Sequence, residues 1–161
     1  VPFFLHGGPA MARGRGERLT PAPDLPDELH FVVVHPPFGV SAGDAYRQLA
    51  ALREAGRLPP GADDPLPAAL PTAGSVAPLL HNDLQPAVAA IAPIEGVMER
   101  LAAGGFPVLL SGSGSCAFAL CATRQEAEGL GRSFRSAPGE VIHVVRALRG
   151  AAVPREIAGS E

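Results

Sequence analysis

The sequence predicts an α+β fold, and three observations carry that prediction. Phe31-Val32-Val33-Val34 is a short, largely β-branched run with the composition of a strand buried on both faces. Val108-Leu109-Leu110, then Ser111-Gly112-Ser113-Gly114-Ser115, then Cys116 to Leu120 read as strand, glycine-rich turn, strand. Helix signals with their own caps lie between and after these runs, so strands and helices mix with hairpin signals and depart from strict βαβ alternation.

Taken in order, the chain opens on Val1-Pro2-Phe3-Phe4-Leu5, an apolar stretch without an initiator Met that reads as the interior of a longer protein. His6-Gly7-Gly8-Pro9 signals a turn, and Ala10 to Ala12 with Glu17 to Thr20 make a hairpin around Arg13 to Gly16. A proline-rich connection from Pro21 to Pro26 leads into the Phe31 strand, which Pro36-Pro37 stops. Ser41 with Asp44 starts a helix whose residues Tyr46, Leu49, Ala50 and Arg53 fall on one side, and Gly56 ends it. Arg57 to Ser75 carries five prolines and no period, as an insertion or a flap would. Val76 to Leu80 suits a short helical turn. Asn82-Asp83 caps a helix that has Pro86 in its first turn and Leu84, Val88 and Ile91 on one face. After Pro93, the stripe Ile94, Val97, Met98, Leu101 marks a helix closed by Gly104-Gly105. Thr123-x-x-Glu126 is a capping box for a helix with Ala127, Leu130 and Phe134 inward, Val141 to Val145 is a last strand, and the tail from Gly150 frays.

Composition excludes several function classes. The 161 residues are 47% hydrophobic and 18% charged, the balance of a folding domain rather than a disordered chain. A net charge of −3, with thirteen scattered arginines and no lysine, lacks the basic footprint of a nucleic-acid binder. No apolar run approaches the roughly 20 residues of a membrane helix, and no signal peptide opens the chain. The expectation is a cytoplasmic protein with neither a nucleic-acid nor a membrane partner. Cys116 and Cys121 fall on one strand, in a geometry unsuited to bridging, and read as reduced core residues. The five histidines show no zinc spacing, so no metal ligand is assigned.

Among candidate sites, Ser111, Gly112, Ser113, Gly114 and Ser115 stand out. Glycines let backbone N–H groups approach a phosphate and serine hydroxyls add donors, and five residues without a bulky side chain exceed what a hydrated hairpin turn needs. A Walker loop is excluded because its Gly-Lys-Ser/Thr ending is missing. Gly112-x-Gly114-x-x-Ala117 fits the dinucleotide fingerprint only in spacing, since a strand follows where a helix is required, and no serine sits in a nucleophile elbow. Asp83 reads as part of a helix cap, and His35 and His143 as strand residues rather than site residues. Tyr46, the only tyrosine, either stacks on a flat ligand or packs in the core. A stand-alone module binding a small anion without chemistry fits the same features, and a dinucleotide-binding oxidoreductase fits them less well.

The segments VPFFLHGGPAMARGRGERL, HPPFGVSAGDAY, HNDLQP and LLSGSGSCAFAL, in that order, resemble the later portion of the 4-diphosphocytidyl-2-C-methyl-D-erythritol kinases of the GHMP kinase superfamily. The resemblance implies the superfamily's C-terminal domain, an antiparallel sheet layered with helices, over 27–149, a remnant of its N-terminal domain over 1–26 and a tail over 150–161. It implies transfer of the ATP γ-phosphate, with Mg²⁺, to a cytidine-diphosphate-linked methylerythritol in the non-mevalonate route to isoprenoid precursors. Ser111 to Cys116 falls on a family motif beside the ATP loop, and Tyr46 on the position that stacks on cytosine. Ala42 stands where the family commonly has a threonine near the substrate. In the family the catalytic aspartate lies just before the VPFF segment and the ATP loop earlier still. No catalytic residue is therefore assigned here, the remaining N-terminal portion of the same protein is the implied partner, and these residues alone are expected to be inactive.

Overall fold

The computed structural model describes residues 9–61 and 66–147. The apolar opening, the His6-Gly7-Gly8 turn, the tail from Gly150 and positions 62–65 of the proline-rich loop lie outside the described residues.

Strands β1 (Ala10–Arg13) and β2 (Arg18–Pro21) pair antiparallel, as the hairpin signal requires. Gly14 and Gly16 turn the chain at φ +69° and +93°, a region that side chains disfavour. The main sheet is built from β3 (His30–His35), β4 (Val108–Leu110), β5 (Ala117–Cys121) and β6 (Val141–Arg146), in the spatial order β4-β5-β3-β6 with every neighbour antiparallel. Val32 lies opposite Ala119 on one side and Val144 on the other.

β3 corrects the expectation of a strand buried on both faces. His30, Val32 and Val34 are buried, while Phe31 and Val33 are half-exposed. The helices cover one face of the sheet. The other is covered only in part, where Leu29, Leu120 and Ala73 cluster with Phe31, Val76, Ala77 and Leu80. On that face the rings of Phe31 and Phe118 meet edge to face, 5.6 Å apart at an interplanar angle of 85°.

Helix α1 (Ala42–Glu54) starts where the cap signal places it, with Ser41 Oγ accepting from the Asp44 N–H at 3.4 Å. Its inward residues are Ala45, Leu49 and Leu52; of the expected set only Leu49 is buried, while Tyr46 and Ala50 are exposed and Arg53 is half-buried. The helix is where the spacing places it, and its buried stripe is turned toward Ala45 and Leu52 about the shared Leu49. The proline-rich loop is secured on both sides: Arg53 Nε donates to Pro59 O at 3.0 Å, and Leu70 N donates to Asp24 O at 2.7 Å beside a parallel bridge between Asp24 and Ala69. Within it begins α2 (Ala73–Val76), capped by Thr72 and continued as a single 3₁₀ turn, Ala77–Leu79.

Helix α3 (Gln85–Ala89) carries Pro86 in its first turn, where a missing N–H costs nothing. It ends before Ile91, which is 44% exposed, so only Leu84 and Val88 of the expected face are buried. Helix α4 (Glu95–Ala102) buries Val97 and Leu101, with the buried Ile94 at its N-cap, and half-buries Met98. Full burial of side chains such as Ile94 and Leu101 contributes roughly 1.5–3 kcal/mol each. Helix α5 (Arg124–Ser133) opens with the capping box, Thr123 Oγ1 accepting from Glu126 N at 3.1 Å while the Glu126 carboxylate accepts from Thr123 N at 3.2 Å. Phe134 caps the end of α5 and packs half-buried beneath the Arg100 guanidinium, 5.7 Å from its ring centre. Arg100 also pairs with Glu140, whose side chain is 4% exposed, tying α4 to the turn before β6.

One core joins these elements, with Val32, Val34, Leu110, Ala117, Ala119 and Cys121 of the sheet facing Leu49, Val88, Ile94, Leu101 and Leu130 of the helices. Cys116 sits just before β5 rather than within it, and both cysteines are free. Burial pushes the Cys121 thiol up to about 11. Among the described residues no helix is long and apolar enough to cross a membrane.

Candidate functional site

The glycine-rich turn links β4 to β5 at one end of the sheet. Ser111 N donates to Cys116 O at 2.8 Å and Gly114 N to Ser111 O at 3.0 Å, which closes the loop on itself. Gly112 and Gly114 adopt φ +57° and +83°, and the Gly114–Ser115 peptide is cis. Among the described residues, the backbone N–H groups of Gly112, Ser113 and Ser115 have no protein acceptor. Ser111 and Gly112 are exposed, Ser113 and Gly114 half-buried, and Ser115 buried at 6% exposure. Unspent N–H groups in a tight turn of small residues can receive an anion's oxygens.

Two side chains from the start of α3 hold the turn. Asn82 Nδ2 donates to Leu110 O and to Gly112 O, both at 2.8 Å, and its Oδ1 accepts from Leu84 N at 2.9 Å. Gln85 Oε1 accepts from Leu110 N at 3.2 Å. Sequence reasoning missed both residues: it read Asn82 as a helix cap, whereas Asn82 bonds Leu84 N in the turn before the helix and the helix itself has no side-chain cap, and nothing in the local pattern signals a reach across to β4. Gly114 closes the turn against the core, since a Cβ there would lie 3.3 Å from Leu110 Cδ1, 3.5 Å from Val88 Cγ1 and 3.7 Å from Val40 Cγ2.

Val40 precedes Ser41, the cap of α1, so the turn abuts the segment that launches the helix carrying Tyr46. Tyr46 itself is 61% exposed. It sits about 100° around the helix from Ala45, outside the inward stripe. Core packing, one of its two open readings, is thereby set aside. Ala42 is the first residue of α1, in the same segment. His35 and His143 are exposed residues of β3 and β6.

Beside Asn82, a cavity of about 500 Å³ opens between α1, the proline-rich loop and α3, walled by Leu49, Leu58, Pro78 and Pro86. Asp83 stands at its polar edge and, contrary to its reading as a cap, caps nothing. Its carboxylate accepts from His81 Nε2 at 2.6 Å and from Arg53 Nη2 at 2.7 Å. The hydrogen bond from His81, and then that from Arg53, hold the Asp83 carboxyl below its usual value near 3.8. A folded-state value below the unfolded one stabilises the fold above the unfolded value, and that contribution is lost as pH falls through the folded one. Asp83→Asn should therefore lower the melting temperature at neutral pH, with the gap to wild type shrinking below pH ~4. A gap that stays constant down to pH 2 in parallel thermal melts would overturn this account.

Among the described residues no group of three or more His, Cys, Asp or Glu could hold a metal ion. The donors the site does offer, N–H groups and serine hydroxyls, suit phosphate oxygens rather than a cation.

Comparison with known proteins places the fold. The family described as GHMP kinases C terminal matches residues 68–140. The 4-diphosphocytidyl-2-C-methyl-D-erythritol kinase of Caulobacter sp. is 46% identical over 130 residues, covering 78% of this chain and 44% of the relative. That of Salinispora tropica is 40% identical over 134 residues, covering 80% of this chain and 42% of the relative. A crystal structure of 4-(cytidine 5'-diphospho)-2C-methyl-D-erythritol kinase superposes with a TM-score of 0.58 at 26% identity, over 89% of this chain and 52% of that one. Homoserine kinase from Cytophaga hutchinsonii shares the fold at a TM-score of 0.58 and 17% identity, over 91% of this chain and 50% of its own. The chain thus spans about half the length of the relatives it matches. With this sequence match, this sheet-and-helix architecture and these relatives, the chain carries the GHMP kinase C-terminal domain.

Proposed function

We propose that this domain serves a kinase that transfers the γ-phosphate of ATP to a hydroxyl of 4-diphosphocytidyl-2-C-methyl-D-erythritol, a cytoplasmic step toward isoprenoid precursors. The observation that carries the reading is the turn from Ser111 to Ser115, whose N–H groups at Gly112, Ser113 and Ser115 meet no protein acceptor among the described residues and whose backbone Asn82 and Gln85 hold, in a chain 46% identical over 130 residues to such a kinase. In the transfer the substrate oxygen bonds to the γ-phosphorus, the bond to the ADP oxygen breaks and the hydroxyl proton passes to a base. Mg²⁺, carried in with ATP, would neutralise phosphate charge. These residues supply position: Ser111, Gly112, Ser113, Gly114 and Ser115 shape the phosphate side, and Tyr46 offers its exposed ring to the cytosine face. On this reading the catalytic carboxylate and the ATP loop lie outside these residues, so the 161 residues alone should not turn over substrate.

The test is ATP-dependent phosphorylation of the cytidine substrate by the full-length kinase containing this sequence. Tyr46→Ala should raise KM for the cytidine substrate about 10-fold with little change in KM for ATP, the size of one lost base–aromatic stack. Equal KM values for wild type and variant would remove Tyr46 from the site. Turnover by the 161 residues alone would show that the catalytic groups lie within them, whereas anion binding without turnover in the full-length protein would favour a binding module.

A further inference from the structure

We infer that Asn82 is a positioning residue for phosphoryl transfer, aiming the N–H groups of the glycine-rich turn from behind. The inference rests on the functional reading above and adds a residue to it. A peptide unit is planar, with its carbonyl and the following N–H pointing in opposite directions. Whatever holds the Gly112 carbonyl therefore also sets the direction of the Ser113 N–H. Asn82 Nδ2 holds that carbonyl at 2.8 Å, which turns the Ser113 N–H away from α3, and no protein acceptor meets it there among the described residues. The second Nδ2 bond, to Leu110 O, fixes the peptide whose N–H belongs to Ser111, and that group closes the turn on Cys116 O.

The amide can take only one orientation. Its Oδ1 faces the Leu84 N–H and its Nδ2 faces two carbonyls, so a flipped amide would set oxygen against two oxygens and nitrogen against a donor. No other side chain of similar size provides two donors and one acceptor in this arrangement. Aspartate keeps the Leu84 bond but places a second oxygen before the two carbonyls, and alanine makes none of the three bonds.

The experiment is steady-state kinetics on the full-length kinase, varying each substrate in turn, with rates expressed per folded molecule. Asn82→Ala should raise KM for ATP and lower kcat, reducing kcat/KM for ATP roughly 10- to 100-fold, while KM for the cytidine substrate stays near wild type. Asn82→Asp should lose more than Asn82→Ala, and Asn82→Ser, whose hydroxyl can reach one carbonyl, should fall between wild type and Asn82→Ala. Should Asn82→Ala fail to fold, Asn82→Ser carries the same comparison. Thr123→Ala, which removes a cap on α5, supplies a destabilised control that should leave both KM values unchanged. KM values rising together in Asn82→Ala, or kinetics per folded molecule equal to wild type, would overturn the inference. Absence of turnover in the wild-type enzyme would overturn the functional reading instead.

Discussion

Val32→Asp is expected to leave no cooperatively folded domain. Val32 is fully buried at the centre of β3, with β5 hydrogen-bonded on one side and β6 on the other. A carboxylate there has no cation or donor to pair with, because its cross-strand neighbours are Ala119 and Val144 and every main-chain partner is spent on the ladder. Burying an unpaired charge costs several kcal/mol even after it takes up a proton, against a total stability of about 5–15 kcal/mol for an ordinary domain. Val145→Asp is the matched control: one strand over, 42% exposed and on an edge, it should cost about 1 kcal/mol or less. Thermal melts followed by circular dichroism separate the two, and a Val32→Asp protein melting within a few degrees of wild type would refute the burial argument.

Gly114→Val should be nearly as damaging to activity as Val32→Asp is to folding. Gly114 sits at φ +83°, where a side chain costs about 1–2 kcal/mol and a β-branched one more. The new Cβ would also press on the buried Leu110 side chain, at 3.3 Å, with Val88 at 3.5 Å, and the two further methyl groups of valine add to that crowding. Relief requires the turn to move outward, toward the space where phosphate is proposed to bind. A displacement of about 1 Å can cost 100-fold in rate, so kcat/KM for ATP in the full-length kinase should fall by about that factor or more. Gly129→Ala provides the contrast, since a Cβ there meets nothing within 4 Å and alanine favours the helix. If Gly114→Val retained the wild-type rate, the turn would have no part in catalysis.

Much of the fold was legible because its signals are local. Thr123 with Glu126, Ser41 with Asp44, and the stripe of Ile94, Val97 and Leu101 each lie within two turns of helix, so spacing alone reveals them. The cap formed by Thr72 and Ser75 escaped notice, since serine stands where Glu or Gln is usual and prolines surround it. Strand order was not readable, because β-branched composition says that a strand is buried but not which strand lies beside it. The site divides in the same way. Ser111 to Ser115 announced itself as a motif, whereas Asn82 and Gln85 reach its beginning from 25 to 30 residues away. Tyr46 was found as an aromatic on α1, but whether it faced in or out depended on a phase fixed only when Ala45 and Leu52 packed.

The sheet order also governs how the chain comes off the ribosome. β3 is made well before both of its partners, β5 and β6. At roughly 5–20 residues per second, Val32 and Val34 wait on the order of 5–20 s for a neighbour, longer than a hydrophobic collapse needs by several orders of magnitude. During that interval the nascent protein displays an unpaired, β-branched strand, the form most prone to self-association. The yield of native protein should therefore depend on chaperone supply and on elongation speed between β3 and β5 more than on the stability of the finished domain.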